Sequence, residues 1–198
     1  MSEVTIKDIA ELRAKTGLGL MEVKKALVEA QGDQAKAMEA LKRSGALKAA
    51  KKSDRPSNSG IVEAYVHGEG KIGVIVEVSS ETDFVAKNQE FKNLAHEIAL
   101  HITASNPTYI SKDEIPAKEL DSEKEAIMSQ LGDSNKPKEV IEKIIEGKLQ
   151  KYFSEVCLLD QPFFKDPDIT VKDFINQAIA KIGENITVKR FARFVLGC

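Results

Sequence analysis

Two runs of alternating apolar residues, with five residues between them, set the first limit on the fold. Val62, Ala64 and Val66 fall on every second position, and so do Ile72, Val74, Val76 and Val78. Between them lies HGEGK, His67 to Lys71, with two glycines. A period of two is the signature of a strand, and a short glycine-bearing break between two such runs predicts an antiparallel hairpin. The flanking segments repeat instead at three and four, the helical spacing. A few strands among many helices predict an α+β chain, with a small antiparallel sheet covered by helices.

Residues 5–50 read as three short helices. Thr5 and Asp8 are spaced as a capping box, and Ile6, Ile9 and Ala10 follow at helical spacing. TGLGL, Thr16 to Leu20, breaks this helix. Leu20, Val23, Leu27 and Ala30 then share a face that leaves out Lys24, Lys25 and Glu29. Gly32 reads as a C-cap and Asp33 as the next N-cap, and Met38 and Leu41 point inward from the third helix. KKSDRPSNSG, residues 51–60, is a linker by composition. The chain therefore divides into a three-helix module, 1–54, and an α+β core, 55–198. With Lys42, Arg43 and Lys48, the linker forms a basic stretch. It reads as a solvated helix end, with a phosphate-binding or acid-binding patch as the alternative.

Beyond the hairpin a helix from Gln89 to Ala104 carries Phe91, Leu94, Ala95, Ile98 and Ile102 on one face, and Pro107 stops it. Further helices are predicted at Ala117–Leu131 and Pro137–Tyr152, with Pro137 at the first helical position. VCLLDQPFFKDPDI reads as an extended aromatic loop. Thr170 and Asp173 open another capped helix, with Val171, Phe174, Ala178 and Ile182 inward and Gly183 as C-cap. NITVKRFARFVL closes the chain as a strand. No tandem repeat is visible.

Several functional classes lose their support on inspection. The formal net charge of -2 gives no field for nucleic acid or a membrane surface. The N-terminus has charges throughout and no long apolar run, and no segment approaches a membrane-spanning length, so a cytoplasmic protein is expected. Cys157 and Cys198 are too few for a disulfide framework and read as free thiols in a reducing compartment, with Cys198 exposed. Gly68–Gly73 spells GxGxxG, but between two strands rather than a strand and a helix, so it is a turn and not a dinucleotide site. His96 and His101 are five apart, about 140° around a helix, which is wrong for a shared zinc ion. His101 is expected to be structural. No catalytic constellation, metal site or cofactor site emerges, and an enzyme is not expected.

One feature remains. In KIGVIVEVSSETDFVAKNQEF, residues 71–91, the strand pattern hands over to a helix at Glu81-Thr82-Asp83-Phe84. An aromatic ring held at a helix start either packs back onto Phe91 and the sheet or stands out toward a partner. The residues alone leave both open.

The segments ELRAKTGLGLMEVKKALVEAQGDQAKAMEALKRSGALKAAKK, VEVSSETDFVAKNQEF, NKPKEVIEKIIEGKLQKYFSEVCLLDQPF and KIGENITVKRFARF closely resemble bacterial elongation factor Ts, over essentially the whole chain. The resemblance implies a ubiquitin-associated-like bundle for residues 1–54 and a core in the short, single-copy form of that family. It implies a guanine-nucleotide exchange factor for elongation factor Tu, needing no cofactor of its own. In the family the phenylalanine of TDFV inserts between helices of the GTPase domain and disturbs the magnesium and phosphate-loop site. Carried over, that role falls to Phe84, flanked by Thr82, Asp83 and Val85. GLGLMEVKK resembles the family's grip on a GTPase helix and nominates Leu20, Met21 and Lys24. KIGEN nominates Ile182 and Gly183, and the YVHG turn nominates His67. A single core copy leaves a sheet edge open, at the closing strand with Lys189, Arg190 and Arg193, so a homodimer through the core is expected, the alternative being a monomer whose flank the helices Ala117–Leu131 and Pro137–Tyr152 cover.

Overall fold

A computed structural model describes residues 4–131 and 137–197. Cys198, expected to be exposed, lies outside the described residues. The N-terminal helices form where their caps place them. Helix α1 (Ile6–Thr16) opens on Thr5, whose hydroxyl accepts from Asp8 N–H while the Asp8 carboxylate accepts from Thr5 N–H. Helix α2 (Leu20–Glu29) ends differently from expectation. Gly32 N–H donates to Leu27 O and Gln31 N–H to Val28 O, so Gln31 already takes the left-handed position before Gly32. Asp33 then caps α3 (Gln34–Ala50), accepting from Ala35 and Lys36 N–H. Ile9, Leu12, Leu18, Val23, Ala26, Leu27, Ala37 and Leu41 make a bundle core of their own, and the three helices form a ubiquitin-associated-like bundle. Ile6 and Leu20 stay outside it, exposed.

The sheet is three antiparallel strands in the order β1 (Ser59–His67), β2 (Ile72–Ser80), β5 (Ile186–Val195). Its buried face presents Val74, Val76 and Val78 to Phe91, Leu94, Ala95, Ile98 and Ile102 of α5 (Gln89–Ser105). Helix α5 stops at Asn106, in the left-handed region, one residue before Pro107. The strand β1 faces the opposite way from the simple alternation. Val62, Ala64 and Val66 point outward, and Ile61, Glu63 and Tyr65 point in. Register is the cause. Residues paired across an antiparallel ladder share a face, and Ile61, Glu63 and Tyr65 pair with Val78, Val76 and Val74. Inward Glu63 is met by His96 of α5, 2.8 Å from Oε1 to Nδ1. Ile75 and Phe194 join Val62 and Val66 on the outer face, all exposed. Lys189 bulges out of β5 between the pairs Glu77–Arg190 and Val78–Val188.

The aromatic segment is not a plain loop. After a 3₁₀ turn at Leu158–Asp160 it folds into a small hairpin of β3 (Pro162–Phe163) and β4 (Asp166–Thr170). Phe163 is buried there, stacked on Phe174 at 4.2 Å between centroids. Helix α8 (Val171–Ile182) begins on the predicted Thr170–Asp173 capping box. Its buried row is Val171, Ile175 and Ile179, with Phe174, Ala178 and Ile182 half-buried beside it. The row is rotated because α8 serves two neighbours, the core on one side and α3 on the other. Ala180 packs against the bundle core, beside Gly45. Helices α6 (Ala117–Leu131) and α7 (Lys138–Val156) pair with each other, Pro137 standing just before α7 as its N-cap. Their root is fixed by Glu119, which accepts from Tyr109 Oη at 2.6 Å and Tyr152 Oη at 2.7 Å. These two bonds hold the Glu119 carboxyl below the usual carboxylate range.

A candidate partner-binding turn

Strand β2 ends at Ser80, and helix α4 (Asp83–Ala86) begins three residues later. Thr82 is its N-cap, the hydroxyl accepting from Val85 N–H at 3.4 Å. One turn of helix does not hold itself together, because nucleation fixes more dihedrals than its bonds repay. The turn is held instead by what it buries and what it bonds. Val85 and Ala86 are in the core at 5% and 7% exposure. Asn88 ends the turn and caps α5, its Oδ1 accepting from Glu90 N–H. Successive helical residues point about 100° apart, so with Val85 and Ala86 docked Phe84 is turned outward. It is 84% exposed, whereas Phe91 is fully buried in the core. The ring does not pack back onto the sheet.

A second loop, following α8, braces this turn. Glu184 accepts from Thr82 N–H with Oε2, at 3.0 Å, and from Thr82 Oγ1 with Oε1, at 2.7 Å. Glu81 accepts from Asn185 N–H with Oε1, at 2.6 Å, and pairs with Arg55 at 3.5 Å. Ile182 and Gly183, the C-terminal end of α8 and its left-handed cap, therefore lie beside Thr82–Val85. Six of the ten nominated residues are thus brought into one neighbourhood, though Val85 faces inward and offers no surface.

The other four lie elsewhere. Leu20, Met21 and Lys24 occupy the exposed side of the start of α2, with Met21 at 73% exposure. His67 is at the far end of β1, beside the hairpin turn and bonded through Nδ1 to Tyr65 Oη. A strand rise of about 3.4 Å per residue puts it roughly 25 Å from Thr82. The basic stretch is largely engaged within the chain. Arg43 pairs with Glu39, Lys48 with Glu22 and Arg55 with Glu81, and Lys52 donates to Gly183 O. A profile of the family Elongation factor TS matches residues 5–197.

The chain belongs to the elongation factor Ts family.

Named members are similar along nearly their full length. Elongation factor Ts of Acetivibrio thermocellus is 52% identical over 194 residues, covering 98% of this chain and 90% of the relative. That of Carboxydothermus hydrogenoformans is 51% identical over 98% of this chain and 89% of the relative. That of Caldanaerobacter subterraneus is 50% identical, over 98% of this chain and 97% of the relative. The elongation factor Ts match therefore takes in the bundle, the sheet and the braced turn together. The family resemblance points to Phe84, which is exposed, but not to the bonds that hold its turn. Glu184 stands inside the KIGEN segment, yet nothing in the spacing ties it to a threonine 102 residues away. Among the described residues no helix is long and apolar enough to cross a membrane.

Proposed function

We propose that this chain is the guanine-nucleotide exchange factor for elongation factor Tu, acting in the cytoplasm. The observation that carries the reading is Phe84: a ring 84% exposed on a turn whose neighbours are buried or hydrogen-bonded. Family membership supplies the partner. GDP in a GTPase is held by backbone amides, a lysine and a magnesium ion, so an exchange factor needs only to displace the elements positioning them. Seating the Phe84 ring in a pocket of the partner contributes about 1.5–3 kcal/mol. Asp83 beside it meets a polar group, and Ile182 and Gly183 extend the contact. Leu20, Met21 and Lys24 form a separate grip through the N-terminal module, and His67 a further core contact. Nucleotide exchange makes and breaks no covalent bond in any participant, so on this reading the protein acts without a cofactor and not as an enzyme.

The core also favours a homodimer. The apolar surface it leaves open is the outer sheet face with Val62, Val66, Ile75 and Phe194, more than the edge of β5 with its bulge and charges. A two-fold pairing of these faces covers both at once.

The test of the exchange reading is release of a fluorescent GDP from elongation factor Tu in stopped flow. Acceleration by sub-stoichiometric protein is expected. An unchanged release rate overturns the proposal.

A further inference from the structure

The loop Gly183–Asn185 is bonded in two directions. Toward the turn, Glu184 takes both donors of Thr82, and Asn185 N–H goes to Glu81. Toward the end of the N-terminal module and the linker after it, Asn185 Nδ2 donates to Ser53 O at 3.2 Å and Arg55 O at 2.9 Å, and Lys52 Nζ donates to Gly183 O. Asn185 is buried, and Ser53 lies three residues beyond the end of α3. Three segments distant in sequence thus meet at three residues.

We infer that Glu184 and Asn185 are positioning residues that hold the Phe84 turn at a fixed place relative to the N-terminal grip. The inference rests on the exchange reading above and names a device that reading lacks. Thr82 is part of this device and not a contact: its N–H and O–H are both spent on Glu184, and its oxygen also accepts from Val85. The carboxylate bonds are charge-assisted and use both oxygens, which fixes direction as well as distance. The consequence is mechanical. A ring on a loose one-turn helix enters a pocket only after losing its own freedom, and it yields when pushed back. A ring on a braced turn transmits the binding energy of the N-terminal grip to the partner. The brace therefore affects the rate of GDP release and leaves the affinity of the complex nearly untouched.

The test combines Glu184→Ala and Glu184→Gln, each alone and with Phe84→Ala. Three quantities are read: amide exchange of Thr82 in the free protein, complex affinity, and GDP release at saturating protein. Loss of the acceptor should speed Thr82 exchange by about tenfold or more. Glu184→Ala should slow limiting release by about fivefold, with affinity changed by less than about twofold. On the Phe84→Ala background the same change should alter release by less than about twofold, since the brace acts through the ring. Glu184→Gln keeps one acceptor oxygen and should fall between, and it carries the test if the alanine variant unfolds. Equal losses on both backgrounds, or unchanged Thr82 exchange, overturn this inference alone. Normal release by Phe84→Ala itself removes the role of the ring, and the brace with it.

Discussion

His101 and Gln161 share a buried hydrogen bond, 2.9 Å from Nε2 to Oε1. His101 Nδ1 accepts from Phe164 N–H, so the proton sits on Nε2 and the ring is neutral. Gln161 Nε2 passes the chain on to Glu155 O. The network pins the aromatic hairpin to α5, and it has no place for a second proton. Burial pushes the His101 pKa down, with the Gln161 bond opposing.

The sign of the pH effect follows. The unfolded chain takes up a proton near the ordinary histidine value, about 6.5, whereas the folded chain resists until lower pH. The contribution of His101 is thus complete above that value and lost progressively as the pH falls below it. Melting temperatures should drop from pH 7 to pH 5, and His101→Gln, though less stable at pH 7, should show a flatter profile. A slope unaltered by the substitution would clear His101 of the effect.

Phe84 and Val85 are adjacent and should behave as opposites. Phe84→Ala removes an exposed ring and should change stability by less than about 0.5 kcal/mol, while GDP release from elongation factor Tu falls far more than binding does. Val85→Ala empties a core position and should cost about 1.5–3 kcal/mol in urea unfolding. A destabilised Phe84→Ala would mean that the ring packs on its own protein.

Leu20 and Met21 are exposed outside the bundle core, at 51% and 73%. Replacing both by alanine should leave the melting temperature unchanged and weaken the complex by about 1–3 kcal/mol. Calorimetric titration at wild-type affinity would take them out of the interface.

Gly60 lies in β1 with φ at 142°, where a side chain would collide with Val78 O and come within 2.7 Å of Ser79 Cα. Both obstacles are backbone of the neighbouring strand and cannot swing away. Gly60→Ala should destabilise the fold by about 1–3 kcal/mol or more, measured by urea titration. Wild-type stability would show that the strands part there at little cost.

The outer sheet face should decide assembly. Light scattering under reducing conditions is expected to give about twice the 21.8 kDa chain mass at micromolar concentration. Ile75→Lys, at the centre of that face, should return the mass to that of one chain without unfolding it. A wild-type mass of one chain sinks the dimer.

The sequence by itself determined what depends on neighbours a few residues away. Thr5 with Asp8 and Thr170 with Asp173 announced their helices, because a capping box is closed within four residues. HGEGK announced the hairpin for the same reason. Cys157 was legible as a free thiol, but not its burial, which with Asp160 nearby raises its pKa to about 11; burial is a tertiary fact. The tertiary structure alone decided the face of β1, where local alternation favours the row Val62, Ala64 and Val66 and the fold buries Ile61, Glu63 and Tyr65 instead. Pairing with Val78, Val76 and Val74 made the choice. It likewise decided which row of α8 is buried, since that helix answers to α3 as well as to the core. And it alone joined Glu184 to Thr82 and Asn185 to Ser53, because hydrogen bonds between distant segments leave no period or spacing in the chain. A ring at Phe84 could be read from the chain; that it stands outward, and what holds its turn, required the fold.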